Sequence, residues 1–168
     1  MKISDILAQF ETALGASTSF VAVTLAWRKV LPLADDRRIV QAQQRLVNRH
    51  RERAKRAGLS QPFILSAFER SEKLGLHGHL LMQVPGNHDR FLSAVARQLV
   101  REHGPLPPNF LNFDGRHHGR IKTPAGALGA VKYRMKSCVT GDGEFGIRRG
   151  VGLRRLGFKF IRVSRGRK

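Results

Sequence analysis

Residues 63–84 read FILSAFERSEKLGLHGHLLMQV and predict a β-hairpin that presents a metal-binding group. Two runs rich in strand-forming residues flank a polar turn at about residues 71–75, which is typical of paired antiparallel strands. Because alternate side chains of a strand share one face, His77 and His79 point the same way, and the hairpin lays Glu69 beside them. A carboxylate with two imidazoles leaves coordination positions open, so the group could hold a divalent cation against a phosphate.

Two alternatives for the ligands stay open in the sequence. Glu72 is a second acidic candidate in the predicted turn, and we favour Glu69 because it occupies a strand position across the hairpin. His117 and His118 form another pair of imidazoles, either as loop residues near DNA or as competing ligands. Neighbouring residues of a strand point to opposite faces, which disfavours the binding of one ion by both of these side chains.

The segments around the hairpin predict an α+β fold. Residues 20–27 alternate as a strand does, and helices are expected at about residues 35–57 and 88–102. Residues 110–113 and 119–122 form one interrupted strand or two short ones. The order β-α-β-β-α-β is that of the ferredoxin-like split βαβ arrangement, an antiparallel sheet with helices on one face. We expect the other face to be open and to carry the histidines.

An appended helix is predicted to carry the single tyrosine of the chain, Tyr133. The segment has helical composition and follows Pro124, a start signal. Tyr133 and Lys136 are three residues apart and therefore lie on one helix face. A phenol titrates near ~10 in water and is a weak nucleophile unless a neighbouring cation or base favours the phenolate. Lys136 could supply that positive field or could clamp the phosphate.

The charge balance predicts a polyanionic partner. The chain has 31 Lys and Arg residues against 12 Asp and Glu residues, a net charge of +19 over 168 residues. Such a protein attracts phosphate backbones at long range. Residues 145–168 include no acidic residue, and we expect a late strand at about residues 158–163 within them. No apolar run is long enough to span a bilayer and no signal-peptide layout is present, so we expect a soluble protein of the cytoplasm or nucleoid.

Three separated motifs resemble those of the His-hydrophobic-His (HUH) endonucleases, in particular the single-tyrosine initiators of rolling-circle replication. Residues 20–27 are similar to the first strand motif of that family, residues 76–81 to its metal-binding motif, and residues 133–136 to its Tyr-x-x-Lys nucleophile motif. The family usually has a bulky hydrophobic residue between the two histidines, where it packs on the opposite sheet face. Here that residue is Gly78, which is expected to pack nothing and to loosen the strand.

The resemblance implies a metal-dependent enzyme that nicks and joins single-stranded or locally melted DNA. Glu69, His77 and His79 would hold Mg²⁺ or Mn²⁺ against the scissile phosphate. Tyr133 would attack, leaving a covalent 5′-phosphotyrosine and a free 3′-OH, while Lys136 balances charge. The enzyme would initiate rolling-circle replication of a plasmid, phage or mobile element, with a separate helicase and polymerase.

Basic residues after the first strand, on the tyrosine helix and in the tail are predicted to bind the DNA backbone without reading its sequence. They are Arg28, Lys29, Lys132, Arg148, Arg149, Arg154 and Arg155. Trp27 is expected in the core, with a base-stacking face at the strand end as the alternative.

Three parts are expected along the chain: an N-terminal helical segment (1–19), an HUH-like endonuclease domain (20–140) and a basic C-terminal arm (141–168). Two other functions stay open. A noncatalytic ferredoxin-like module would bind nucleic acid with incidental histidines, and a relaxase or single-tyrosine transposase would share the chemistry of the site.

Overall fold

The structure is a computed structural model that describes residues 8–13, 20–71, 75–84, 88–113, 120–121, 128–129 and 161–163. Its strands are β1 (Phe20–Leu25), β2 (Ile64–Ser71), β3 (Gly75–Gln83), β4 (Leu111–Phe113), β5 (Arg120–Ile121) and β6 (Ile161–Val163). Its helices are α1, described over residues 8–13, α2 (Asp36–Arg56) and α3 (His88–His103), with a 3-10 turn at Trp27–Lys29. Residues 128–129 are also helical. The predicted α+β class is confirmed.

One antiparallel sheet holds the six strands of the described ranges in the order β4-β1-β3-β2-β6, with β5 also paired to β1. The predicted hairpin is formed by β2 and β3, and it pairs Glu69 with His77. The segment predicted as one interrupted strand or two short ones is two short strands, because β4 pairs with residues 23–25 and β5 with residues 20–21 of β1.

The main hydrophobic core lies between one face of this sheet and helices α2 and α3. Helix α2 begins after Asp35, whose carboxylate accepts a hydrogen bond from the backbone N–H of Arg38 at 2.7 Å. Apolar side chains at helical spacing then face the sheet. The core includes Ile39, Leu46 and Val47 of α2, Val95 and Leu99 of α3, Val21, Val23 and Leu25 of β1, and Leu80 and Met82 of β3.

The opposite face of the sheet is covered at one end by α1. The Phe10 ring lies 5.4 Å from the rings of both Phe20 and Phe63, measured between centroids, and Phe10 is 1% exposed. The side-chain amide of Gln83 donates a hydrogen bond to the Ala13 carbonyl at 2.8 Å. The expectation of an open face is therefore wrong at this end, because burying these aromatic rings against each other stabilises the helix on the sheet.

The late strand predicted in the basic arm is found at Ile161–Val163, where β6 pairs with the outer edge of β2. The arginines of the arm that were predicted to bind DNA, residues 148, 149, 154 and 155, lie outside the described residues. In the part of the chain that the structure describes, no helix has both the length and the apolar character needed to cross a membrane.

Helix α2 also buries a histidine, His50, in the core beside α3. Its Nε2 donates a hydrogen bond to the Gln83 carbonyl at 2.9 Å, and its ring lies 4.6 Å from the Phe91 ring. Its Nδ1 has no hydrogen-bond partner among the described residues. Burial lowers the pKa of His50 to about 4, aided by the charges of Arg53 and Arg51 and opposed by the Gln83 hydrogen bond. The ring is therefore neutral at pH 7.

We expect His50 to make the protein less stable as the pH falls from about 6.5 to about 4. In this window the unfolded chain binds a proton that the folded chain does not. The free energy of unfolding therefore decreases as the pH is lowered, by about 3 kcal/mol over the whole window. The variant His50→Gln keeps a donor for the Gln83 carbonyl but does not titrate. Urea unfolding between pH 4 and 7 should show that the free energy of unfolding decreases less for this variant than for the wild type. An equal decrease in both proteins would contradict the assignment of this pH dependence to His50.

Candidate metal centre

The three predicted ligands converge at the β2–β3 hairpin. The Oε2 atom of Glu69 lies 3.0 Å from Nε2 of His79 and 3.6 Å from Nε2 of His77. One ligand atom from each residue lies within 4.8 Å of the other two, and the group could hold a metal ion. Both histidines are 4% exposed, while the Glu69 side chain is 24% exposed. The carboxylate therefore forms the more accessible side of a mostly buried group.

Strand register explains why these side chains meet. Glu69 lies directly opposite His77 in the antiparallel pair, so it is also the diagonal neighbour of His79 on the same face. Gly75 begins β3 with a φ of 63°, a left-handed conformation that favours glycine. Its carbonyl accepts a hydrogen bond from Nδ1 of His77 at 3.1 Å. Because a carbonyl can only accept, this contact places the proton of a neutral ring on Nδ1 and leaves Nε2 to bind a cation.

Thr24 of β1 orients the His79 ring through Nδ1, as the Gly75 carbonyl orients the His77 ring. The two residues are paired across β1 and β3, and Thr24 Oγ1 lies 2.9 Å from Nδ1 of His79. A hydroxyl both donates and accepts, so it suits either tautomer of the ring. When it donates to Nδ1, the Nε2–H group of His79 can donate to Glu69. When it accepts from Nδ1–H, Nε2 offers its lone pair to a cation.

Sequence reasoning missed Thr24 because it belongs to no metal motif. The alternation of residues 20–27 places Thr24 on one strand face with Phe20 and Ala22, which is the only signal available. Its pairing with His79 depends on which strands become neighbours, and these residues are 55 positions apart in the chain.

The backbone between the histidines is packed by Gln43, a residue of α2. A Cβ atom added to Gly78 would overlap Oε1 of Gln43 and lie 2.5 Å from Cδ of the same residue. Trp27 Nε1 donates to Gln43 Oε1 at 2.9 Å, and Gln43 Nε2 donates to Ser66 Oγ at 2.8 Å and to the Ala67 carbonyl at 3.3 Å. The expectation that this position packs nothing is therefore wrong, because the glutamine amide fills the space above the glycine.

Trp27 is fully buried, so its predicted alternative role as a base-stacking face is wrong. Its ring lies 5.4 Å from the ring of Phe110, between centroids. Arg28 is also engaged within the protein, because Nη2 pairs with Asp36 Oδ1 at 2.8 Å. Lys29 Nζ donates to the Pro108 carbonyl at 2.8 Å and is otherwise exposed. Contact of Arg28 or Lys29 with DNA stays a prediction.

The remaining predicted site residues fall outside the described residues. They are the nucleophile candidate Tyr133, its neighbours Lys132 and Lys136, the histidines 117 and 118, and the alternative acidic residue Glu72. The structure thus brings the three ligand candidates together and leaves the tyrosine motif as a prediction from sequence.

Comparison of the chain with protein-family models and with curated proteins found no match.

Proposed function

We propose that this protein is a metal-dependent endonuclease that nicks and rejoins single-stranded or locally melted DNA through Tyr133. The observation that carries the proposal is the convergence of Glu69 Oε2 with the Nε2 atoms of His77 and His79. Both rings are oriented through Nδ1, one by a backbone carbonyl and the other by the Thr24 hydroxyl. Ring orientation by such outer contacts is usual for histidines that bind metal ions.

The donor set fits a divalent cation that accepts both nitrogen and oxygen. When bound, such an ion would stabilise negative charge on the scissile phosphate and orient the phosphate for attack. Glu69, His77 and His79 would hold it, leaving positions for phosphate oxygens and water. Two imidazoles depart from the all-oxygen set that Mg²⁺ prefers, so Mn²⁺ is the better probe of the two proposed ions.

Tyr133 acts as the nucleophile in this proposal, on the strength of its spacing from Lys136 and its place in the motif order. The phenolic oxygen forms a bond to phosphorus while the bond between phosphorus and the 3′ oxygen breaks. The phenol loses its proton and the departing 3′ oxygen gains one, which leaves a 5′-phosphotyrosine and a free 3′-OH. Lys136 stabilises the negative charge. Attack by a DNA 3′-OH on the phosphotyrosine reverses the step and reseals a strand.

We also propose that the core is of the ferredoxin-like type. Support comes from the element order β1-α2-β2-β3-α3-β4 and from the neighbour order β4-β1-β3-β2 with antiparallel pairs throughout. Strands β5 and β6 extend this sheet.

In this proposal the protein initiates replication at a rolling-circle origin. A separate helicase would then open the DNA and a separate polymerase would copy it. A relaxase or single-tyrosine transposase would use the same chemistry on another substrate.

Covalent trapping tests the proposal. The full chain is incubated with Mn²⁺ and a random-sequence pool of single-stranded oligonucleotides that carry a label at either the 3′ or the 5′ end. We expect a denaturation-resistant protein adduct that carries the 3′ label, because a 5′-phosphotyrosine retains the downstream fragment. EDTA and the variant Tyr133→Phe, which lacks only the phenolic oxygen, should each abolish it. If the wild-type protein binds the pool and forms no adduct, the noncatalytic nucleic-acid-binding module replaces the nickase.

A further inference from the structure

Helices α2 and α3 bring five arginines together on the side of the sheet opposite the metal centre. Three of them repeat every four residues along α2, about 6 Å apart in rise, and two are four residues apart on α3. This arginine cluster consists of Arg45, Arg49, Arg53, Arg97 and Arg101. The helices that carry it pack on the sheet face that contains Leu80, whereas the neighbouring histidines of β3 occupy the other face.

Contacts of Arg49 and Arg53 with α3, together with charge effects at Arg53 and His103, link these arginines across the two helices. Burial lowers the pKa of the Arg53 guanidinium, and the charges of Arg49, Arg101 and Arg97 lower it further, while Glu102 opposes them. Burial also lowers the pKa of His103 at the end of α3, where Arg45 acts in the same direction. The cluster therefore spans the boundary between the two helices.

The Glu102 carboxylate lies among these guanidiniums. Its Oε1 is 3.3 Å from Arg49 Nη2 and accepts a hydrogen bond from Gln98 Nε2 at 3.1 Å, while Gln98 Oε1 accepts from Arg53 Nη2 at 2.7 Å. Arg53 Nη1 is buried with no hydrogen-bond partner among the residues that the structure describes. The five guanidiniums outnumber Glu102 and Glu52, the acidic side chains beside them, and Glu52 is paired with Lys55, so the remaining positive charges repel one another unless an anion binds.

We propose that the arginine cluster binds the phosphate backbone of duplex DNA. Guanidinium groups match phosphate oxygens through paired hydrogen bonds, and contacts of this kind position a protein on DNA without reading its sequence. Duplex binding at this cluster is an activity separate from nicking, because it needs neither Tyr133 nor a metal ion. A protein with both sites holds duplex DNA on its helical side and presents the opposite side of its sheet to the strand that is cut.

The chemistry of the surface favours a duplex over a single strand. Grooves that bind single strands combine positive charge with aromatic side chains on which bases stack. Among the described residues, the large hydrophobic side chains that are exposed are Leu33, Val100 and Leu128, and none of them is aromatic. A surface with guanidiniums and no stacking platform suits a backbone whose bases are already paired.

A pair of triple variants with equal charge tests the proposal. The cluster variant changes Arg45, Arg97 and Arg101 to Gln, because these exposed residues have no ion pair within the described ranges and their loss should leave the fold intact. The matched control lies on the other flank of α2 and changes Arg37, Arg51 and Lys55 to Gln. Circular dichroism melts verify that both variants fold. Binding to a short non-specific DNA duplex is then measured over a salt series in EDTA.

The cluster variant is expected to reduce the slope of log affinity against log salt by up to about 3, since each lost phosphate contact contributes about 0.9. At physiological salt its affinity should fall by about 100-fold, while the control variant stays near the wild type. Equal weakening in both variants, or a cluster variant that loses single-strand binding but keeps duplex binding, would overturn the proposal. Because EDTA is present throughout, the result does not depend on whether the nickase proposal holds.

Discussion

Replacing His79 with alanine is expected to abolish Mn²⁺ binding at concentrations that saturate the wild-type protein. The substitution removes one of three donors from a group in which Glu69 Oε2 already lies 3.0 Å from Nε2 of His79 and 3.6 Å from Nε2 of His77. It also removes the ring whose Nε2 contacts the Glu69 carboxylate at 3.0 Å. The loss should exceed the roughly 10- to 100-fold that removal of an outer hydrogen-bond partner of a ligand typically causes.

Two further variants give a graded series at the same site. Glu69→Gln keeps the size of the side chain but removes the charge, and it should lose Mn²⁺ binding nearly as severely as His79→Ala. Thr24→Val keeps the shape and removes the hydroxyl that orients His79, so we expect a weakening of about 10- to 100-fold. Since Thr24 touches the ring and not the ion, its variant separates orientation of a ligand from loss of a ligand.

Calorimetric titration with MnCl₂ and thermal unfolding with and without MnCl₂ measure this series without any DNA. An ion that binds only the folded state raises stability by about 2.7 kcal/mol at a concentration 100-fold above its dissociation constant. The wild-type protein should show that rise and His79→Ala should not. A folded His79→Ala variant that binds Mn²⁺ as tightly as the wild type would remove the Glu69, His77 and His79 group from the metal-site assignment.

The ligand group could be predicted because it is a local feature of the chain. The alternation of residues 76–83 fixes which side chains share a face, and a short turn fixes the register of the hairpin, so Glu69 and His77 pair within ten residues of each other. The start of α2 was predictable on the same grounds, because Asp35 is a capping residue followed by an apolar pattern of helical period.

The contacts that complete the site are not local, and the sequence does not encode them in any readable pattern. Thr24 meets His79 only because β1 lies beside β3, and Gln43 reaches Gly78 only because α2 crosses that part of the sheet. Periodicity gives the inward face of an element and says nothing about what packs there. The covered end of the sheet was missed for the same reason, since nothing in residues 8–13 specifies that Phe10 meets Phe20.

Adding one methyl group at Gly78 is expected to lower the free energy of unfolding by about 3 kcal/mol. Although the atom that the new Cβ would strike is the end of a flexible side chain, Gln43 is fully buried and tied by hydrogen bonds to Trp27, Ser66 and Ala67. Moving the amide breaks these bonds, and each buried polar group left unpaired costs about 1–3 kcal/mol. Gly129→Ala is the matched control, because a Cβ there meets no atom of the described residues within 4 Å.

Combining Gly78→Ala with Gln43→Ala tests whether the steric conflict is the cause. Gln43→Ala alone should destabilise the protein, because the Trp27 and Ser66 side chains lose their partner. In the double variant the methyl group occupies space that the amide has vacated, so the two losses should not add, and the coupling energy should be about 1–3 kcal/mol. Urea unfolding of the four proteins gives this value. If the two losses in the free energy of unfolding simply add, the Gln43 side chain moves away from the methyl group at little energetic cost. The backbone between the histidines would then not depend on the packing of Gln43.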